Sequence, residues 1–347
     1  MKMKTEYMKP LERVLATFNR QETDRTPVIN PTSIATVESM QIADAYFPDV
    51  HLDAKKMAAL ASVGHDHLGF DSVEPYYSVQ NEAAAFGAEL DWGHMDEMPK
   101  QKRPPLKDLE GFEVPDDLLQ RLPIKTVLDA LSILKEKYGD EVAVMGKIMG
   151  PWTLSYNLYG TQDFLMETII DPDNVNAMLN AFKEIAIRFA VAQVEAGADV
   201  ITWCDHATGN LVSVDTYREF LLPVQKEAVA EFRRRCPRRV PLILHCCGHA
   251  EDRLSSFMEV GFDAFHFDSQ NNIANMMKIA GNDILLTGCV NNPQTLLQGS
   301  VADVEAQVTE IVKGGVHLVS PECAIPCRVK NENLKAIVDT VKKLTLV

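Results

Sequence analysis

The sequence has few of the features that mark membrane, secreted or nucleic-acid-binding proteins. Among its 347 residues, no apolar run reaches the length of about 20 residues that a transmembrane helix needs. No basic start leads into a short apolar segment, so we expect no signal peptide. Basic residues are in deficit: 34 Lys and Arg stand against 49 Asp and Glu, for a formal net charge of -15. Nucleic acids and anionic membranes bind basic surfaces, so we expect neither as a partner.

The cysteines do not form the pattern of a disulfide framework. Their number, 7, is odd, and no secretory leader accompanies them. These features favour a reduced protein of the cytoplasm. Most of the cysteines fall at or just beyond the ends of apolar runs, which keeps a role in metal binding open. The seven are Cys204, Cys236, Cys246, Cys247, Cys289, Cys323 and Cys327.

Alternating hydrophobic segments predict the fold. Apolar strand candidates, eight in all, are nearly all separated by helical patterns and lack long linkers. Repeated βα units of this kind predict a parallel sheet with both faces covered, and eight units favour a closed (β/α)₈ TIM barrel. The alternative is an open doubly wound sheet, but no glycine-rich phosphate turn follows the first strand. We predict one α/β barrel domain over residues 1–347, with an N-terminal helix at 9–22. An irregular insertion, with a hairpin as one possible form, follows the second strand at about 76–119.

Polar residues recur at or near the carboxyl ends of the predicted strands. In a barrel these ends meet at one face, where active sites form. Buried polar groups without partners would be destabilising, so their shared position indicates a site. The residues are Asn30, Glu74, Asp205, His206, His245, Cys247, Asp268, Asn291 and Cys323.

The segment Leu242–Gly248 is the most informative of these strand ends. Residues two apart on a strand face the same way, so His245 and Cys247 share a face while Cys246 takes the other. A later apolar run delivers Cys323 just past its end. One imidazole and two thiolates form a ligand set suited to tetrahedral zinc with an open fourth position. On spacing alone, an equally good interpretation is that these residues are ordinary core cysteines and a hydrogen-bonded histidine.

Several motifs together resemble a known family. They are Arg25-Thr-Pro-Val28, Leu244-His-Cys-Cys-Gly248, Gly261-Phe-Asp263, Gly288-Cys-Val-Asn291 with Leu297-Gln-Gly299, and Ser320-Pro-Glu-Cys323. This series is similar to the uroporphyrinogen decarboxylase superfamily over essentially the whole chain. Within it, the sequence most resembles the cobalamin-dependent methyltransferases that act on coenzyme M. The His-x-Cys motif with a distant cysteine is the most specific part of the resemblance.

The resemblance implies a fold, a metal and a reaction. It implies a (β/α)₈ barrel with zinc bound by His245, Cys247 and Cys323, and a zinc-bound substrate thiolate as the reacting group. The thiol would be that of coenzyme M, and the methyl donor a methylated corrinoid, such as methylcobalamin, on a separate corrinoid protein in methanogenesis. The sulfonate of coenzyme M needs cationic or amide donors, for which Asn291 and Arg328 are candidates. Asp205 either orients a metal ligand or caps a helix.

Alternatives to this interpretation remain at the level of sequence. Homocysteine or another thiol is a possible substrate. A uroporphyrinogen decarboxylase activity is disfavoured because Asn30–Ala35 lacks the arginines that would hold substrate carboxylates. A corrinoid carrier is disfavoured because the sequence has no Asp-x-His-x-x-Gly motif. Among rival metal ligands, Cys327 is the strongest, and Glu322 offers a carboxylate.

Overall fold

Parallel strands that are buried along their whole length form the centre of the molecule. The structure is a computed structural model and describes residues 6–345. In chain order, the strands of this central sheet and of a separate antiparallel pair (β2 and β3) are β1 (Ser72–Val73), β2 (Glu89–Asp91), β3 (Lys100–Arg103), β4 (Ala143–Met149), β5 (Val200–Cys204), β6 (Leu242–His245), β7 (Ala264–His266), β8 (Leu285–Val290) and β9 (Leu318–Pro321).

Helices connect these strands and cover the outside of the sheet. They are α1 (Pro10–Phe18), α2 (Val37–Ala43), α3 (Ala54–Asp66), α4 (Asn81–Ala85), α5 (Ile124–Tyr138), α6 (Pro151–Leu158), α7 (Thr161–Ile170), α8 (Pro172–Glu195), α9 (Val214–Thr216), α10 (Leu222–Arg235), α11 (Leu254–Val260), α12 (Ile273–Ala280), α13 (Val301–Lys313) and α14 (Asn331–Thr345). Short 3₁₀ turns lie at Asp49–His51 and Leu118–Gln120, and π turns at Tyr217–Leu221 and Asn292–Leu297. Across residues 6–345, no helix combines the length and the apolar character needed to span a bilayer.

The sheet closes into the expected TIM barrel. Its strand order is β1-β4-β5-β6-β7-β8-β9, and neighbouring strands are parallel. The eighth position belongs to Val28, which bridges to Val319 on one side and accepts a hydrogen bond from the amide of Asp71 on the other. Pro27 and Pro31 flank this segment, and proline has no N–H for a ladder. The first predicted strand is therefore reduced to a single bridge.

Helix α1 plugs the amino-terminal end of the barrel. Its Leu11 and Val14 pack against an inner layer contributed by the strands, which includes Met145 and Ile243. The helix ends at Phe18, short of the predicted residue 22, because Arg20 takes a left-handed backbone conformation with φ of 55°. The predicted N-terminal helical extension is thus confirmed in a shorter form.

Charged side chains join α1 to the barrel wall. The guanidinium of Arg13 donates to Asp24 at 2.6 Å and to Asp71 at 2.7 Å. Arg25 donates to both oxygens of Asp71, at 2.7 and 2.8 Å. Asp71 also accepts from the amide of Val28 at 2.8 Å, so the network holds the bridging segment against β1.

The segment from 76 to 119 contains a hairpin, as the sequence suggested. Strands β2 and β3 pair antiparallel, with Asp91 opposite Lys100. Helix α4 precedes the hairpin and the second 3₁₀ turn follows it. Helix α6 was not predicted, because all eight of its residues are buried and no polar face gives it an amphipathic period.

Candidate metal centre

Three side chains meet at the carboxyl ends of β6 and β9. The Nε2 atom of His245 lies 3.2 Å from Sγ of Cys247 and 3.7 Å from Sγ of Cys323. The two sulfur atoms are 3.3 Å apart. The structure therefore brings together the three residues that the sequence singled out, in a small triangle at the face where barrel enzymes place their sites.

The local backbone explains why these side chains converge. His245 is the last residue of β6, and its carbonyl accepts from the amide of Asp205 at the end of β5. Gly248 then turns the chain with φ of 83°, and a Cβ atom there would come within 2.2 Å of the Thr208 hydroxyl. Only glycine fits this turn without displacing its neighbours. The turn leaves Cys247 half-buried on the same side as His245.

The protonation states of the three side chains favour the binding of a soft cation. Burial lowers the pKa of His245 well below its ordinary value, and the neighbouring His266 and His206 rings add to the effect. The imidazole is therefore neutral, which is the form that binds metals. A hydrogen bond between the two thiols lowers the pKa of Cys323 and raises that of Cys247. The positive charge of Lys147 also favours the Cys323 thiolate.

The triangle fits a tetrahedral zinc ion. Zinc–sulfur and zinc–nitrogen bonds of about 2.3 and 2.1 Å place tetrahedral ligand atoms roughly 3.5–3.8 Å apart. The three observed separations, 3.2 to 3.7 Å, lie at or slightly below this range. One nitrogen and two sulfurs are also a ligand set that binds zinc in preference to harder cations. The residues present therefore fit the metal that the sequence suggested.

The rival ligands point elsewhere. Cys246 is fully buried, and its Sγ lies 3.6 Å from the carbonyl of Cys247. Burial raises the pKa of Cys327 to about 11, and this thiol is not part of the triangle. The carboxylate of Glu322 accepts from the amide of Ser269 at 3.0 Å and from the amide of Asn292 at 2.8 Å. Both carboxylate oxygens of Glu322 are therefore engaged in hydrogen bonds with the backbone and not with the triangle.

The residues suggested for substrate binding have other partners. Asp205 accepts from the amide of Thr153 and from Gln225, each at 2.9 Å, and burial raises its pKa to about 7. Asn291 caps the turn that follows β8, accepting from the amide of Gln294 at 2.7 Å. Arg328 is three-quarters exposed and donates to Asp96 at 3.0 Å. The side chains of Asn291 and Arg328 are thus engaged in structural contacts and not with the triangle.

Two residues at the site were not assigned a role from the sequence. The ring of His206 meets that of His245 edge to face, and the ligand atoms of His206, His245 and Cys247 lie within 4.8 Å of one another. Burial lowers the pKa of His206 to about 4. His206 had been noted at a strand end, which was the available signal.

The second is Lys147, which interrupts the apolar strand β4. Its ammonium group donates to the carbonyls of Thr32 and Tyr76 and lies 3.5 Å from the carboxylate of Glu74. Burial raises the pKa of Glu74 to about 8, although Lys147 acts against this. A lone lysine within a buried strand was the signal, since a buried cation needs partners.

Comparisons with known proteins point in one direction. A family model described as uroporphyrinogen decarboxylase (URO-D) matches residues 9–344. The methylcobamide:CoM methyltransferase MtaA of Methanosarcina barkeri is 32% identical over 94% of this chain and 95% of its own length. The methylcobamide:CoM methyltransferase MtbA of Methanosarcina mazei is 32% identical over 97% of this chain and 98% of its own. A solved methyltransferase structure from M. mazei, 31% identical, has a TM-score of 0.92 and covers 97% of this chain and 99% of that one.

Proposed function

The chain belongs to the uroporphyrinogen decarboxylase family, and on that basis we propose that it is a zinc-dependent methyltransferase acting on coenzyme M. The methyl group would come from a methylated corrinoid, delivered by a separate corrinoid protein. The names of the two methylcobamide:CoM methyltransferases support this substrate pair. The observation that carries the proposal is the triangle of one imidazole nitrogen and two sulfurs at the barrel face.

The roles of the three residues follow from their chemistry. His245, Cys247 and Cys323 would hold the zinc through Nε2 and the two Sγ atoms. When bound, zinc supplies a positive charge that deprotonates a substrate thiol at neutral pH and so makes it nucleophilic. Two cysteine thiolates donate more electron density than histidines or carboxylates would. This ligand set therefore favours alkylation of sulfur over hydrolysis by an activated water.

The surroundings of the triangle prepare it for this task. Cys247 and Cys323 are half-buried, whereas His245 is buried. The imidazole of His266 packs against that of His245 with ring centroids 4.6 Å apart, and its Nε2 pairs with the carbonyl of Pro321 at 2.8 Å. This contact ties β7 to β9 and holds the His266 ring against the ring of the histidine ligand on β6.

The proposal can be tested on the purified protein under anaerobic conditions. We expect about one zinc per chain, and methyl transfer from free methylcobalamin to coenzyme M, followed by the absorbance change of the cobalamin and by mass spectrometry of the thioether. Homocysteine, supplied in a parallel reaction, should be a poorer acceptor. Equal rates with the two thiols would contradict the assignment of coenzyme M. Metal-dependent transfer to homocysteine alone would move the function to the alternative substrate.

One variant tests the assignment of the metal ligands. Cys323→Ala should lose both zinc and transfer, because a ligand sulfur is removed. Full retention of zinc in this variant would contradict the ligand assignment. Release of carbon dioxide from a porphyrinogen by the wild type would contradict the methyltransferase assignment as a whole.

A further inference from the structure

An apolar groove lies on the surface between α7 and the loop that follows β5. Helix α7 lines it with Leu165, Met166 and Ile169, and the loop lines it with Leu211 and Val212. The groove has a volume of about 640 Å³. Ile169 and Leu211 are 80% and 59% exposed, so both present apolar surface to solvent. Contiguous apolar surface with a polar rim marks a place where another molecule binds.

Helix α7 buries little of its apolar surface within the chain. Of its ten residues only Phe164 is buried, and its ring packs against Trp152 with centroids 4.8 Å apart. Met166, Ile169 and Ile170 are all exposed. A surface helix usually turns its large apolar residues towards the core. This side of α7 is therefore left without a partner among residues 6–345.

The loop that carries Leu211 is fixed to the turn that follows Cys247. The side-chain oxygen of Asn210 accepts from the amide of His249 at 2.7 Å. The amide of Gly209 donates to the carbonyl of the same histidine at 2.9 Å. A molecule seated in the groove is therefore held at a defined position relative to the metal triangle.

The groove and the triangle are close enough to be covered by one protein domain. Leu211 follows His206 by five residues, and the His206 ring contacts that of His245. Five residues span at most about 18 Å when fully extended. A domain of 100 residues has a radius of gyration of about 13 Å, so its width exceeds this span. One domain can thus occupy the groove and place a group that it carries at the barrel mouth.

The rim of the groove is acidic. Residues 161–182 and 205–217, which contain all the residues that line it, include no lysine or arginine. Exposed carboxylates in these two segments belong to Asp163, Asp171, Asp173 and Asp215. A second copy of the chain, docked by a two-fold contact, would bring this acidic rim against itself, which is unfavourable. A partner whose apolar patch is bordered by basic residues fits better.

We propose that this groove is the docking surface for the protein that carries the methylated corrinoid, and that this partner presents an apolar patch bordered by lysine or arginine. The inference rests on the proposed function and adds a binding site for its protein partner. The methyl carbon must approach the substrate sulfur closely and in one orientation. A surface joined rigidly to the turn after Cys247 provides that alignment.

Two methyl donors separate docking from chemistry. One is free methylcobalamin. The other is the methylated corrinoid protein of the same organism, purified by its cobalamin absorbance and selected because it donates methyl groups to the wild type. Ile169→Ser and Leu211→Ser should each lower kcat/KM for the protein-bound donor by at least about tenfold, the scale expected for residues at the centre of an interface. Zinc content and the rate with free methylcobalamin should stay at wild-type values, because neither side chain is part of the triangle.

Two further comparisons make the test specific. Tyr7→Ser is the matched control, since Tyr7 is 74% exposed and lies three residues before α1, which plugs the opposite end of the barrel. It should leave the rates with both donors unchanged. Asp215→Lys, at the rim, should slow transfer from the protein-bound donor, and added salt should slow the wild type with this donor only.

The outcomes distinguish this inference from the proposed function. An unchanged kcat/KM for the protein-bound donor in both serine variants would overturn the docking site, and so would equal losses with the two donors. A wild-type dimer that becomes monomeric in these variants, measured by light scattering, would assign the groove to a second copy and overturn the proposal. Transfer from free methylcobalamin, with no corrinoid protein able to act as donor, would overturn the docking site and leave the methyl transfer standing. Absence of transfer from either donor to the wild type would contradict the proposed function itself.

Discussion

The buried carboxylate of Asp71 provides a sharp test of how the barrel is closed. Its Oδ2 accepts from Arg25 and from the amide of Val28, and its Oδ1 accepts from Arg13 and Arg25. Asp71→Asn replaces one of these oxygens by an NH₂ group that accepts no hydrogen bond. It also removes the negative charge that the two buried guanidinium groups share. Two charge-assisted hydrogen bonds are worth about 1.5–3 kcal/mol each. We expect a loss of about 3–5 kcal/mol in the free energy of unfolding, which is the usual cost of breaking a buried ion pair.

Chemical denaturation followed by circular dichroism measures this loss. The matched control is Asp129→Asn, which breaks the exposed pair between Lys125 and Asp129 on α5. That change should cost less than about 0.5 kcal/mol. Asp71 lies at the barrel end opposite the metal centre, so the zinc content of the folded variant should equal that of the wild type. Equal small losses in the two variants would refute the role given to the network, and loss of zinc would refute the separation of the two ends.

Three further predictions concern the site and its surroundings. Cys327→Ser should keep its zinc, because Cys327 is not part of the triangle; metal loss measured by emission spectroscopy would make it a ligand. Glu74→Gln should flatten the pH dependence of stability. A carboxyl whose folded pKa is raised to about 8 favours folding at low pH and loses that contribution between about pH 4 and 8. Denaturation midpoints that fall with pH as steeply in the variant as in the wild type would contradict this. Arg328→Ala should change the KM for coenzyme M by less than about twofold, since its guanidinium pairs with Asp96 at the surface; a tenfold rise would return Arg328 to the substrate site.

Much of the fold could be predicted from the sequence because parallel strands and amphipathic helices have strong periods. The βα repeat gave the barrel, and strand alternation separated Cys247 from Cys246, whose side chains point in different directions. Helix α6 escaped prediction because it is buried on all sides and so has no amphipathic period. The reduction of the first strand to Val28 depends on the network around Asp71, which joins residues 43 and more positions apart.

The candidate site, like the fold, could be predicted from the sequence only in part. His245, Cys247 and Cys323 stood at the ends of apolar runs, so their meeting followed from the topology. The side-chain partners of Asn291 and Arg328 did not, because a cap and a surface ion pair depend on where loops come to rest. His206 was visible as a polar residue at a strand end, but its distance from the triangle is a property of the folded β5–α9 connection. That the three residues bind zinc stays a prediction.

The adjacent cysteines Cys246 and Cys247 allow the most direct measurement of the central claim. Each is replaced by alanine in turn, and zinc content and methyl transfer from methylcobalamin to coenzyme M are measured on the folded proteins. Cys246→Ala should retain about one zinc per chain and most of the transfer rate, because its sulfur is not part of the triangle and the residue packs in the hydrophobic core. Cys247→Ala should lose both. Equal zinc content in the two variants, or transfer that persists in Cys247→Ala, would contradict the account.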